Sequence, residues 1–251
     1  MTEVLWANLR APELSELARR NAIVMVPVGS MEQHGPHLPV QVDSLLATEI
    51  CVRAARLVQD REPVVVAPTV WCGLAEHHMD FGGTMTLDFD TFRGVLRCIC
   101  QSLVRQGFRR IMLLNGHGGN VSALNVIAGD IGRELEAPVF AATYCYVAGT
   151  AQRYKDILEQ QENVRHACEA ESSMVLALLP ELVDRESMAH TQGTMTNMVG
   201  PSGAYRFRSF AELTETGVNG VPALATAEKG ELLLDAAAEE LAETLLGDEL
   251  W

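Results

Sequence analysis

Residues 22–28 read AIVMVPV and are followed at once by a glycine-containing turn. The run is apolar at every position rather than at every second one, which is typical of a strand buried on both faces of a sheet. Further strands are predicted at 64–70, 111–114 and 139–144. Because segments with helical spacing separate these strands, the sequence predicts an α/β fold whose mostly parallel sheet is covered on both faces.

The helices are predicted from apolar residues spaced three and four apart, most clearly in 91–106, which Gly107 ends. The other predicted helices cover 44–58, 121–135, 169–179 and 228–249. The last one carries eight acidic residues against Lys229 alone, and we expect it to be a solvated amphipathic helix. Residues 191–222 are richer in Gly, Ser, Thr and Asn and are expected to be irregular.

Charge and length limit the class of protein. The chain has 251 residues, 33 acidic against 19 basic, and a formal net charge of −14. With 48% hydrophobic residues it can build a substantial core, so we expect one domain over 1–251 rather than a disordered chain. The acidity excludes nucleic acid and an anionic membrane surface as partners, since both are bound through clustered Lys and Arg.

The compartment is expected to be the cytoplasm, because no apolar stretch has the length of a signal peptide core or a membrane span. The six cysteines show no disulfide-framework spacing and are expected to be small, reduced core residues. They are Cys51, Cys72, Cys98, Cys100, Cys145 and Cys168.

The histidines concentrate where predicted strands end, which is where parallel sheets bind ligands. After the first strand, Glu32 and His34 are two residues apart and Asp43 follows a Gly-Pro turn. Two carboxylates and an imidazole suit Zn²⁺ or Mn²⁺. The alternative is a polar loop in which Asp43 caps the following helix.

A second cluster, LNGHGGN at 114–120, lies between a strand and a helix. Its glycines allow close backbone approach, and its central His117 suits a metal ligand or an acid/base. A nucleotide-phosphate loop is the competing interpretation, but no Lys follows the glycines and the spacing matches no phosphate motif.

The third cluster is HACEAESS at 166–173. If a helix begins near Cys168, Glu169 and Glu171 point in different directions, so at most one of them faces the site. Both carboxylates also suit a helix N-terminus, which leaves His166 unexplained.

Together these segments resemble the creatininase family of binuclear metal amidohydrolases. The resemblance rests on VPVGSMEQHGPHLP at 26–39, NGHGGN at 115–120 and HACEAESS at 166–173. Shorter matches are GLAEH at 73–77, GT at 83–84 and AEKG at 227–230. It implies a three-layer α/β/α sandwich and a ring-like homo-oligomer, often a hexamer.

The resemblance also implies two divalent cations per chain, Zn²⁺ and/or Mn²⁺ with Fe²⁺ possible. The implied ligands are Glu32, His34, Asp43 and His117, with Asp43 bridging the two ions. Creatinine-hydrolysing members supply a glutamate where this chain has Gly119, so we expect Glu171 as the fifth ligand, with Glu169 in reserve. His166 matches the catalytic histidine.

The remaining histidines and carboxylates receive weaker assignments. Glu76 and His77 are expected to line the pocket or to contact a metal ligand on its side away from the metal. Structural roles for both stay open. His37 is expected to support a ligand in the same way, and His78 and His190 are interpreted as structural.

The predicted reaction is hydrolysis of a small cyclic amide, a formamide or a related C–N bond by a metal-activated water. The N–H groups of Gly118 and Gly119 are expected to bind the oxyanion, and His166, with a pKa near neutrality, to shuttle the proton. The resemblance does not extend to creatinine as the substrate. Creatinine-hydrolysing members surround their ligand with tryptophans, whereas no Trp lies between Trp71 and Trp251 in this chain. The alternatives are a non-catalytic metal-dependent binding or scaffold protein, and a peptidase that trims a modified peptide.

Overall fold

The computed structural model describes residues 3–196, 205–247 and 250–251. Within them, four parallel strands form a sheet in the order β2-β1-β3-β4. Their bounds are Ile23–Val28 for β1, Val64–Val66 for β2, Arg110–Asn115 for β3 and Val139–Thr143 for β4. Each was predicted, and the parallel arrangement is confirmed.

Eight α-helices lie in the described residues. Their bounds are α1 Ala11–Arg19, α2 Val42–Val58, α3 Phe89–Arg105, α4 Val121–Leu135, α5 Thr150–Ile157, α6 Glu169–Leu178, α7 Arg185–His190 and α8 Ala227–Leu246. All five predicted helices are present and begin within two residues of the expected position. The short helices α1, α5 and α7 were not predicted.

The sheet separates two apolar layers because alternate side chains of each strand point to opposite faces. Ile23 and Met25 pack with α2, α6 and α8, whereas Val24 and Val26 pack with α1, α3 and α4. Both layers consist of buried aliphatic side chains. This confirms the three-layer α/β/α sandwich.

The second strand is shorter than predicted. Strand β2 ends at Val66, and Pro68 follows in the segment expected to continue it. Because proline has no N–H to donate, the ladder stops there. The chain returns to the edge of β1 only at Val70, whose N–H donates to the Pro27 carbonyl at 2.9 Å.

The C-terminal helix is amphipathic, as expected, and its apolar face belongs to the core. One face of α8 is buried against α2 and α6, and includes Gly230, Leu233, Leu234 and Leu241. A Cβ at Gly230 would lie 2.0 Å from the Ser173 carbonyl oxygen, so glycine permits this close helix contact. The described acidic residues of α8 lie on its other face; Asp248 and Glu249 lie outside the described residues.

The cysteine prediction is correct except at one position. All six cysteines are free, and five are buried, but Cys98 is exposed on α3. Residues 191–196 and 205–222 are irregular apart from short 3₁₀ turns, as expected, while 197–204 lie outside the described residues. None of the helices in the described ranges combines the length and apolarity that a membrane crossing needs.

Candidate metal centre

Two strand ends and two helix starts converge on one buried cluster. Glu32 and His34 follow β1, and His117 follows β3. Asp43 lies in the first turn of α2 and Glu171 in the first turn of α6. All five side chains are at most 3% exposed. Helix α2 begins at Val42, so Asp43 is inside the helix rather than its cap, and its carboxylate is free to face the cluster.

The five side chains divide into two groups that share Asp43. In the first, His117 Nδ1 lies 3.1 Å from Glu32 Oε2 and 3.1 Å from Asp43 Oδ2. In the second, His34 Nε2 lies 3.3 Å from Asp43 Oδ1 and 3.9 Å from Glu171 Oε1. Each oxygen of Asp43 therefore faces a different imidazole. This is the arrangement expected of a carboxylate that bridges two cations.

Hydrogen bonds on the far side of each imidazole fix which nitrogen faces the cluster. His34 Nδ1 lies 3.1 Å from the Glu32 carbonyl oxygen, and His117 Nε2 lies 3.1 Å from the Leu74 carbonyl oxygen. A carbonyl oxygen can only accept, so each of these nitrogens donates. The opposite nitrogens, His34 Nε2 and His117 Nδ1, remain for a cation.

Two asparagines hold the loop that carries His117. Asn115 Nδ2 donates to the His117 carbonyl at 2.7 Å, and its Oδ1 accepts from the His117 N–H at 3.0 Å. Asn120 Nδ2 donates to the Gly29 carbonyl at 3.0 Å, and its Oδ1 accepts from the Leu74 N–H at 2.9 Å. The asparagines thereby tie β3 to the segments that follow β1 and β2.

The charge distribution of the cluster fits a bound cation. Three buried carboxylates lie within a few ångströms of one another, an arrangement that needs positive charge to persist. Burial alone lowers the pKa values of His34 and His117, but the nearby carboxylates outweigh it and raise both pKa values well above normal. Protons on these imidazoles therefore occupy positions for which a cation competes.

Three buried atoms support the same interpretation. Among the described residues, Glu32 Oε2, His34 Nε2 and Asp43 Oδ2 find no hydrogen-bond partner. Buried polar atoms are rarely left in this state, and all three point into the cluster. Nitrogen and oxygen donors in this combination suit Zn²⁺ or Mn²⁺. The assignment of each residue as a ligand stays a prediction.

The two candidate fifth ligands point in different directions, as expected. Glu171 Oε2 accepts from the Ala167 N–H at 2.6 Å, which leaves Oε1 facing His34. Glu169 is fully buried beside Lys229, with Oε1 2.6 Å from Nζ. The structure thus places Glu171 in the cluster and Glu169 outside it. Lys229 of AEKG at 227–230 thus forms an ion pair with the buried Glu169 of HACEAESS at 166–173.

His166 lies at the edge of the cluster. Its Nδ1 is 3.6 Å from Glu32 Oε1, and its Nε2 is 2.8 Å from the Gln33 carbonyl oxygen. Burial, followed by the charges of His34 and His78, lowers the pKa of His166 well below its normal value. The expectation of a pKa near neutrality is therefore wrong for this structure. A neutral imidazole with a free Nδ1 is ready to accept a proton rather than to donate one.

Comparison with known proteins identifies the family of this chain. Residues 7–245 match the family model Creatininase, described as creatinine amidohydrolase. The chain belongs to the creatininase family. Creatinine amidohydrolase of Pseudomonas putida is 29% identical over 261 residues, which cover 97% of this chain and 94% of that protein. A mycofactocin precursor peptide peptidase of Mycolicibacterium smegmatis is 30% identical over 212 residues, covering 83% and 78%.

The solved creatininases share the fold. A crystal structure of creatinine amidohydrolase superimposes with a TM-score of 0.86 at 27% identity, covering 100% of this chain and 99% of that one. Other matched structures are titled as a Mn form and as a Zn-Zn type. The chain is therefore a creatininase-family hydrolase with a metal-binding cluster. A restriction to non-peptide C–N bonds is not supported, because one relative is named a peptidase.

In this creatininase-family chain, the other predicted site residues differ in how closely they approach the cluster. The His77 ring stacks on His117 with centroids 5.5 Å apart, and a Cβ at Gly119 would lie 2.4 Å from His117 Nε2. Gly118 is exposed and its Cβ position is open. Glu76 is exposed, and its carboxylate makes no hydrogen bond or ion pair within the described part of the chain. The role expected of Glu76 at the pocket stays a prediction.

His37 contacts the sequence neighbour of a predicted ligand. Its Nε2 lies 2.8 Å from Ser172 Oγ, and Ser172 is the neighbour of Glu171. His37 thereby joins the loop after β1 to the first turn of α6. The expected support of a ligand by His37 stays a prediction, because its Nε2 contacts Ser172 rather than a predicted ligand.

Sequence reasoning missed three residues. His78 was interpreted as structural, yet its Nε2 lies 3.2 Å from Glu32 Oε1. Gln33 contacts His78 through its side-chain amide and His166 through its backbone carbonyl. The Phe210 ring lies 4.4 Å from the His78 ring and 4.7 Å from the His166 ring between centroids. The doubled histidine after a strand was the available signal for His78. Nothing in the pattern of 191–222 marks Phe210.

Proposed function

We propose that this protein is a hydrolase that cleaves an amide C–N bond with water activated between two divalent cations. The observation that supports it most strongly is the shared carboxylate, Asp43, whose two oxygens face His34 and His117. A second support is His166, whose free Nδ1 lies beside the cluster. A metal site that only stabilised the fold would need neither a shared carboxylate nor an adjacent base.

The cations, when bound, would lower the pKa of a water molecule and polarise the substrate carbonyl. Glu32, Asp43 and Glu171 would supply the negative charge that holds them. The N–H groups of Gly118 and Gly119 open a short 3₁₀ turn, so they have no partner within it and suit an oxyanion. His166 would accept a proton at Nδ1 and pass it to the leaving nitrogen.

The surroundings of the cluster support an amide other than creatinine. Trp6 packs on Phe108 and Trp251 on Phe140, with centroids 5.3 Å and 5.1 Å apart. Both indoles thus pack against the apolar layers, and the third, Trp71, is 50% exposed. The aromatic ring that covers His166 is Phe210. We expect a small cyclic amide or a formamide to be hydrolysed faster than creatinine.

A peptidase is the second candidate. The relative named as a mycofactocin precursor peptide peptidase is as similar to this chain as the creatinine amidohydrolase is. Close in sequence to His78 and Phe210, the side chains of Met79 and Phe207 are 47% and 55% exposed. Exposed apolar side chains beside a site suit a substrate longer than a small ring.

The test is hydrolysis in H₂¹⁸O by protein reconstituted with Mn²⁺ or Zn²⁺, against creatinine, cyclic amides, formamides and short peptides. We expect one label in the new carboxylate and no turnover after exhaustive chelation. His166→Asn should abolish turnover and leave cation binding intact, whereas His34→Ala should abolish both. Full turnover after chelation contradicts the proposal. If the wild-type protein binds the cations but hydrolyses none of these substrate classes, the non-catalytic binding protein is favoured.

A further inference from the structure

His78 is buried beside the cluster without belonging to it. It is 1% exposed, and none of the candidate ligand groups found among the described residues includes it. Its Nε2 lies 3.2 Å from Glu32 Oε1, and its Nδ1 lies 2.8 Å from Gln33 Nε2. What His78 does to Glu32 depends on which of its nitrogens carries the proton.

The orientation of the Gln33 amide is fixed by two backbone groups. Gln33 Oε1 accepts from the Gly35 N–H at 2.8 Å, and Gln33 Nε2 lies 3.1 Å from the Gly217 carbonyl oxygen. The reverse orientation would bring an amide oxygen against a carbonyl oxygen and two N–H groups against each other. Gln33 Nε2 is therefore the donor that faces His78.

The two protons of that amide can be assigned by elimination. His166 Nε2 lies 2.8 Å from the Gln33 backbone carbonyl, so it carries a proton and cannot accept one from the Gln33 side chain. The acceptors that remain for Gln33 Nε2 are the Gly217 carbonyl and His78 Nδ1. His78 therefore holds its own proton on Nε2, and that proton points at Glu32 Oε1.

We propose that His78, held in this tautomer by Gln33, is a positioning residue that orients Glu32 for cation binding. Its Nε2–H binds Glu32 Oε1, which leaves Oε2 directed at His117 and at the shared Asp43. The inference rests on the proposed function, since it assumes that Glu32 holds a cation. Partners of this kind change metal affinity by about 10- to 100-fold when they are removed.

The experiment uses three variants of the full chain. His78→Phe keeps an aromatic ring and removes the donor, while His78→Gln keeps an amide N–H at the reach of Nε2. His190→Gln is the matched control, because His190 is exposed on α7 and, among the described residues, its side chain bonds only the Glu186 carbonyl of its own helix. Each metal-free protein is titrated with Mn²⁺ against a fluorescent chelator, and its thermal unfolding is recorded first to confirm that it is folded.

We expect His78→Phe to weaken Mn²⁺ binding by about 10- to 100-fold and His78→Gln to recover most of the loss. His190→Gln should bind as the wild type does. A Mn²⁺ affinity of His78→Phe within twofold of the wild-type value overturns the inference. Equally weak Mn²⁺ binding by His78→Phe and His78→Gln also overturns it, because His78 would then act only through packing. If wild-type protein binds neither Mn²⁺ nor Zn²⁺, the proposed function is what fails.

A second measurement tests the tautomer without any metal. Long-range ¹H–¹⁵N spectra of the metal-free wild type should contain a neutral imidazole protonated on Nε2 that is missing from His78→Gln. A His78 ring protonated on Nδ1 overturns the inference whatever the variants show. This readout also decides the matter if His78→Phe does not fold.

Discussion

Lys229→Met tests whether Glu169 is a structural residue rather than a metal ligand. The Lys229 ammonium donates to Glu169 Oε1 at 2.6 Å, to Glu159 Oε1 at 2.6 Å and to the Leu224 carbonyl at 2.8 Å. Glu169 is fully buried, and without Lys229 its remaining donor is the Glu159 N–H, at 3.2 Å and 3.3 Å from its two oxygens. The substitution therefore leaves an uncompensated buried carboxylate.

The free energy of unfolding that Lys229→Met is expected to lose comes almost entirely from leaving Glu169 unpaired. Removing one partner of a buried ion pair costs roughly 3–5 kcal/mol, whereas an exposed pair contributes about 0–1 kcal/mol. The Glu159 side chain is 58% exposed, so the Lys229–Glu159 pair contributes as an exposed pair does, within the lower of these two ranges. At roughly 2–4 °C per kcal/mol for a chain of this size, a loss of about 3 kcal/mol lowers Tm by about 6–12 °C.

The assay is thermal and urea unfolding of the wild type, Lys229→Met, Glu159→Gln and the double variant Glu169→Gln/Lys229→Met. Glu159→Gln should cost less than about 1 kcal/mol. The double variant should be more stable than Lys229→Met, because it removes the stranded charge. Equal and small effects of Lys229→Met and Glu159→Gln would refute the reasoning.

The effect of Lys229→Met has a defined pH window. Burial alone lowers the pKa of Lys229, but hydrogen bonds to Glu159 and Glu169 outweigh it and raise the pKa above 10.5. A raised pKa gives a contribution that is fully present below the unfolded value and is lost as the pH rises through the folded value. The destabilisation should therefore be the same at pH 7 and pH 9, and a decline between them would contradict this assignment.

Three further outcomes are expected. Glu171→Gln should lower the measured ratio of Mn²⁺ to protein by inductively coupled plasma mass spectrometry, while Glu169→Gln leaves the ratio unchanged and lowers Tm. Gly119→Ala should weaken Mn²⁺ binding at least tenfold, because its Cβ would lie 2.4 Å from His117 Nε2. Gly118→Ala is the control and should bind Mn²⁺ normally, because its Cβ would meet nothing within 4 Å. Chelation should abolish hydrolysis and Mn²⁺ or Zn²⁺ should restore it, which enzyme assays before and after dialysis would check.

The sheet and its helices could be predicted because their sequence patterns are local. Helix α4 was predicted to the residue, since its apolar spacing starts directly after NGHGGN. The close contact of α8 with α6 could not be predicted, because Gly230, which permits it, carries no signal alone. The homo-oligomer and the cytoplasmic location stay predictions.

The cluster was predicted in its composition but only partly in its geometry. Glu32, His34 and His117 follow strands, and parallel strands bring such residues to one edge. The choice of Glu171 over Glu169 depends on the helix start and on Lys229, a partner 60 residues away. His78 was missed for a similar reason, because its proton is set by Gln33, 45 residues away in the chain.

Anomalous diffraction from crystals of the Mn²⁺-loaded protein tests the central claim most directly. We predict two Mn²⁺ peaks flanking Asp43, one beside Glu32 and His117 and the other beside His34 and Glu171. A single peak, or peaks that do not share Asp43, would contradict the account.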